Sequence, residues 1–136
     1  MKRFKRHNKR VSNKDLMASQ CFIAKLNSNE YESIFCADGH PEVTGSTLTR
    51  NYKDDSKIAS LIKEGDISNL GKDIPQCRFY DEDFGFTRPF SDMDSMVEFY
   101  RQCGCSYGYI YATEWYAIHI TSNGTSPVNL NLLANA

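Results

Sequence analysis

Two stretches of alternating side chains, one near each end of the chain, constrain the fold most. Residues 21–27 read CFIAKLN and residues 31–37 read YESIFCA, and in both apolar and polar side chains alternate. A period of two places successive side chains on opposite faces of a strand. Ser28-Asn29-Glu30 between them is turn chemistry, so the pair predicts a hairpin. Residues 106–120, SYGYIYATEWYAIHI, predict a second, aromatic hairpin with its turn near Thr113-Glu114.

The stretch between the hairpins switches to a helical period. Asp38-Gly39 ends the second strand and Pro41 suits the first turn of a helix. Thr44, Leu48 and Tyr52 recur every four residues, which predicts a short helix from about Pro41 to Tyr52. Gly45 and several β-branched residues weaken it. Asp54-Asp55-Ser56 supplies caps for a second helix, whose stripe is Ile58, Leu61 and Ile62. Gly65 ends it. Residues 66–76 read as loop and 77–80, CRFY, as a strand that Asp81-Glu82-Asp83 and Gly85 break. Ser91 is a good N-cap for a third helix, with Asp92 and Asp94 at the positive end of its dipole. Met93, Met96, Val97 and Tyr100 make one face of it, and Gly104 stops it. The order β-β-α-α-β-α-β-β predicts an α+β fold: an antiparallel sheet with helices packed on one face.

Charge divides the chain. Residues 1–14 carry seven cations (Lys2, Arg3, Lys5, Arg6, Lys9, Arg10 and Lys14) and no acid, and the remaining 122 residues carry a net −8. Residues 1–15 therefore read as a basic, disordered arm, 16–121 as a single domain, and 122–136, without a clear period, as a flexible tail. No apolar run nears the roughly 20 residues a membrane-crossing helix needs, and the basic start lacks an apolar core of the secretory type. A cytoplasmic protein with no membrane contact is expected. The odd count of five cysteines agrees with free thiols.

The candidate chemistry is sparse. Asp38, Gly39, His40 and Gly45 lie in ADGHPEVTGSTL, a strand-to-helix turn that looks like a phosphate loop. Such a loop needs four residues between its glycines and then Lys-Ser/Thr. Here five intervene and no lysine follows Gly45. A weak anion or nucleotide site at the helix start is the reading left open. His7, His40 and His119 offer no nucleophile arrangement, and Cys103-Gly104-Cys105 with Cys36 and His40 falls short of zinc-ligand spacing. No enzyme activity, metal or cofactor is expected. Acids crowd between Asp81 and Glu98, which suits a solvated face or a surface offered to a basic partner. Tyr107, Tyr109 and Tyr111 alternate onto one strand face, with Trp115 and Tyr116 near the turn. Such a stripe serves a core, a stacking surface or a protein interface. Asp81, Glu82, Asp83, Asp92, Asp94, Tyr107, Tyr109, Tyr111, Trp115 and Tyr116 are the candidate partner contacts. Lys2, Arg3, Lys5, Arg6, Lys9 and Arg10 are candidates for nucleic acid.

Residues 34–71, IFCADGHPEVTGSTLTRNYKDDSKIASLIKEGDISNLG, carry a composite pattern: Asp-Gly-x-Pro-Glu, Gly-x-Thr-Leu, Asn-Tyr, Leu-Ile and Gly-Asp-Ile-Ser-x-Leu-Gly. In this the chain resembles a family of small proteins encoded by bacteriophages, prophages and their hosts. The resemblance covers roughly residues 12–120. The chain departs from it at Cys36-Ala37, where the family has His-Trp, and at His40, which replaces a tyrosine. The resemblance implies a mobile-element accessory protein without its own catalysis. The expected function is inhibition of a host defence complex, of the CRISPR nucleic-acid-targeting kind, through protein–protein contact. The alternatives are a small-ligand protein for a nucleotide signal and a nucleic-acid binder led by the arm.

Overall fold

Alternation becomes strand at both ends of the chain, and the elements between them cover both faces of the resulting sheet. The computed structural model describes residues 20–80 and 86–130. In chain order the elements are β1 (Cys21–Asn27), β2 (Glu30–Cys36), a π-helical turn (Pro41–Gly45), α1 (Ser46–Asn51) and α2 (Asp55–Glu64). There follow β3 (Ile67–Asn69), a 3-10 turn (Ile74–Gln76), β4 (Arg78–Phe79), β5 (Arg88–Phe90), α3 (Met93–Gln102), β6 (Tyr107–Tyr111), β7 (Trp115–Thr121) and β8 (Gly124–Val128). The strands form one sheet in the order β4-β3-β2-β1-β6-β7-β8, and β5 also pairs with β2.

The fold is α+β as expected, with two corrections to its detail. The sheet is mixed, because β1 runs parallel to β6 and β2 parallel to β3. Alternation specifies which face a side chain takes and is silent on the direction of the neighbour. Both parallel pairs join strands separated by helices, as parallel neighbours require. The helices also lie on both faces. Cys21, Ile23, Ile34 and Cys36 pack with Leu48, Tyr52, Ile58, Leu61 and Ile62 of the α1–α2 layer. Phe22, Ala24 and Phe35 pack with Met96, Val97 and Tyr100 of α3. Every odd–even step along β1 and β2 thus feeds one of two cores.

Other boundaries also move. Asp54 caps α2 by accepting the Lys57 N–H, as read from sequence. Asp92, not Ser91, caps α3: its carboxylate accepts the Ser95 N–H at 2.7 Å, which holds its pKa below the usual range. The 66–76 stretch contains β3 and the 3-10 turn, and residues 88–90 form a strand that alternation could not reveal in three residues. The expected tail 122–136 carries β8, which pairs antiparallel with β7. Its sequence, GTSPV, lacks strand propensity, and a two-residue turn at Ser122-Asn123 brings it in. The arm and Asp81-Glu82-Asp83 lie outside the described residues.

The outer edge of β8 is interrupted. The Ile120 N–H donates to Ser106 O at 2.7 Å, on the β6 side. Ile118, two residues earlier, turns its N–H the same way. Its partner Pro127 therefore sits at a pair not hydrogen-bonded to β7, with the proline nitrogen facing out.

Gly108 marks a close approach at the centre. A Cβ there would lie 2.4 Å from the Phe22 ring, which lies across the glycine and stacks on Tyr100 at 4.6 Å. One further contact governs the β2 edge. Asp66 has no exposed surface. Its Oδ1 accepts the Phe35 N–H at 2.8 Å, and Arg88 grips the carboxylate at 2.8 and 2.9 Å. Removing one member of such a pair strands the other charge in the interior. Asp66→Ala is expected to cost about 3–5 kcal/mol of unfolding free energy, measured by urea titration. A loss under about 1 kcal/mol would show that the pair holds nothing together.

Candidate interaction surface

The ten expected partner contacts do not form one surface. Tyr107, Tyr109 and Tyr111 point to the α1–α2 side of the sheet, and Asp92 and Asp94 begin α3 on the other side. Tyr109 is fully buried and its hydroxyl donates to Gly39 O at 2.7 Å, so its assignment as a contact is corrected: it is a core residue. Burial pushes its pKa well above the ordinary tyrosine range. Tyr107 is half-buried between two histidine rings, 5.9 Å from His40 and stacked at 5.0 Å on His119. Trp115 is also half-buried, and its indole N–H donates to Tyr52 O at 2.8 Å. Tyr116 alone among these aromatics is open, at 50% exposure, because its strand position turns it to the α3 side.

The turn at Asp38–Gly45 spends its polar groups internally. Asp38 O accepts from the Cys36 thiol and the Thr44 hydroxyl, and Gly39 O accepts from Tyr109. The Val43 and Thr44 N–H groups donate to His40 O. The side chains of Asp38, His40, Glu42 and Val43 face outward, while Gly39 and Gly45 are buried. The family-like pattern has a packing meaning too. The Tyr52 hydroxyl donates to Gly71 O at 2.8 Å, which ties the end of α1 to the loop after β3. A Cβ on Gly71 would lie 2.6 Å from Gln76.

The exposed apolar surface that alternation missed lies beside α3. Phe86 is 55% exposed and Phe99 37%. The Arg88 guanidinium lies 4.8 Å from the Phe86 ring and 5.8 Å from the Phe99 ring. Phe90 completes the cluster at 5.5 Å from Phe99. Burial would lower the Arg88 pKa, but the Asp66 carboxylate outweighs it and holds the guanidinium firmly charged. The patch is therefore two aromatic rings about a cation whose position is set from below. Tyr100, under Phe99, joins this network through Ser33 at 2.9 Å. One sequence signal was available: Phe99 is an aromatic residue off the Met93-Met96-Val97-Tyr100 stripe.

On the opposite side of the sheet a cleft of about 290 Å³ opens between the end of α1 and the β6–β7 turn. Tyr52, Tyr111 and Trp115 line it, with Lys53 and Glu114 at its mouth. Tyr111 and Trp115 meet edge to face at 5.3 Å.

Among the described residues, no group of three or more His, Cys, Asp or Glu is placed to hold a metal ion. No helix among them is long and apolar enough to cross a membrane. Comparison of the chain with protein-family models, with curated proteins and with solved structures gave no match.

The two roles of the aromatics separate by mutation. Tyr109→Phe deletes only the hydroxyl that meets Gly39 and is expected to lower stability by about 0.5–1.5 kcal/mol. Phe99→Tyr keeps the ring contacts with Phe90 and Tyr100 and adds a hydroxyl at a partly open position, so it is expected to change stability by less than about 0.5 kcal/mol. Paired urea titrations check both, and the reverse ranking would place Tyr109 at the surface and Phe99 in the core.

Proposed function

We propose that this chain is a phage-type accessory protein of the host cytoplasm that acts by binding, and that it blocks a CRISPR-type, nucleic-acid-targeting defence complex through protein–protein contact. The Phe86–Arg88–Phe99 patch supports the binding role. Aromatic residues and arginine dominate the energetics of protein interfaces, because they bury large area with little loss of freedom. Here Asp66 has already fixed the arginine, so a partner need not order it. Acids are frequent in the same part of the sequence: Asp92, Asp94 and Glu98 stand against Arg101 alone on α3, and Asp81-Glu82-Asp83 lie three to five residues before Phe86. This acidic bias suits a partner with the basic channels in which nucleic-acid effectors hold their strands.

A purified effector complex and its nucleic-acid cleavage give the test. The unaltered chain inhibits cleavage, and Phe86→Ala with Phe99→Ala weakens inhibition about 10–100-fold, the range of one or two interface hot spots. Full cleavage in the presence of the unaltered chain rejects the target. Inhibition that survives both substitutions rejects the patch.

The Tyr52–Tyr111–Trp115 cleft supports a second reading, a small-ligand protein. Its aromatic walls suit the planar base of a nucleotide, with Lys53 the one cation in its lining, beside Glu114. Mass spectrometry of material released by heat from the purified chain, compared with Trp115→Ala, decides it: a released nucleotide that disappears in the variant is the expected result.

A further inference from the structure

We infer that the groove between α3 and the β7–β8 hairpin is the docking site of the chain's own basic arm, residues 1–14. The groove holds about 430 Å³. Met93, Val97 and Ile118 give it an apolar lining, and Asp94, Glu98 and Arg101 form its polar rim. Arg101 is engaged already: it pairs with Glu98, and its Nε donates to Thr121 O at 2.9 Å. Asp94 has no ion-pair partner among the described residues. The rim thus keeps an uncompensated negative charge above an apolar floor.

The arm has the matching composition. Its seven cations are unopposed by any acid, and its apolar residues are Met1, Phe4 and Val11. The choice of groove follows from charge balance. Around α2, Asp54, Asp55 and Glu64 are offset by Lys53, Lys57 and Lys63, whereas on α3 three acids face one arginine.

Position favours the same groove. The described chain starts at Gln20, whose carbonyl accepts the N–H groups of Ser106 and Tyr107 at 2.9 and 3.3 Å. Ser106 in turn bonds Ile120, so the arm joins the fold beside the Arg101–Thr121 end of the groove. By alternation along β1, Gln20 shares the α3 side with Phe22 and Ala24. Its Oε1 is buried with no hydrogen-bond donor among the described residues, which invites one from the chain that precedes it. The 19 residues before Gln20 reach roughly 60 Å when extended. The ten residues of α3 span only about 15 Å.

Zero-length carbodiimide cross-linking of the full chain at low salt tests the contact. Mapped cross-links from Lys2, Lys5, Lys9 or Lys14 to Asp94 or Glu98 within one chain are expected, and about 1 M salt reduces them about tenfold. A second readout does not depend on those carboxylates as reactants. Asp94→Asn with Glu98→Gln removes both charges at exposed positions with little change in shape, and a circular-dichroism melt that overlays that of the native chain checks the fold. In this variant trypsin cleaves within the arm about fivefold faster than in the native chain, because the docked fraction is lost. An unchanged cleavage rate, cross-links to other acids, or cross-links between two chains overturn the proposal, and the last result would assign the groove to a second copy.

Discussion

The carboxylate of Asp66 is the constraint on which the rest of this structure depends. The outer edge of β2 is shared between two short strands, β5 along Tyr31–Ser33 and β3 at Cys36. Phe35 falls between them, and its N–H points into the gap. A strand cannot leave a buried N–H unpaired without a cost of about 1–3 kcal/mol. Asp66 supplies the oxygen, but an isolated carboxylate at zero exposure is itself costly. Arg88 resolves that cost from the neighbouring strand, and so β3 and β5 are locked to each other as well as to β2. The same guanidinium then rises between Phe86 and Phe99. One ion pair closes a sheet edge below and organises an aromatic surface above.

Much of the frame was legible where the signal was local. CFIAKLN and YESIFCA alternate because two different cores lie on the two sides of β1 and β2. Asp54 caps α2 because a short carboxylate at that position meets a free N–H one turn on. What could not be read was set by residues far apart in the chain. Asp66 looks like a loop aspartate after a helix-ending glycine, and nothing nearby announces Arg88, 22 positions later. The direction of β1 relative to β6 is likewise a long-range choice, made by the chain that crosses between them. Strands of two or three residues, such as β4 and β5, are too short to show a period at all.

The surface was harder to read than the core, for a related reason. The tyrosine stripe at 107–111 was correctly placed on one strand face, but whether that face meets helix or water depends on where α1 and α2 land. They land on it, and Tyr109 becomes a core residue. Tyr116, one position out of phase with that stripe, stays open. Phe86 and Phe99 carry no surface signal in the sequence, because an isolated phenylalanine normally means core. Here both stay partly open, and the Arg88 guanidinium lies near both rings.

The proline at the rim of β8 bears on how this molecule can meet others. An incoming strand needs a continuous ladder of donors, and Pro127 removes one rung from the open flank of β8. At the far side β4 offers just two residues. Among the described strands, growth of the sheet by annealing to another chain, whether into a fibril or onto a target's own strands, is thereby disfavoured at β8 and at β4.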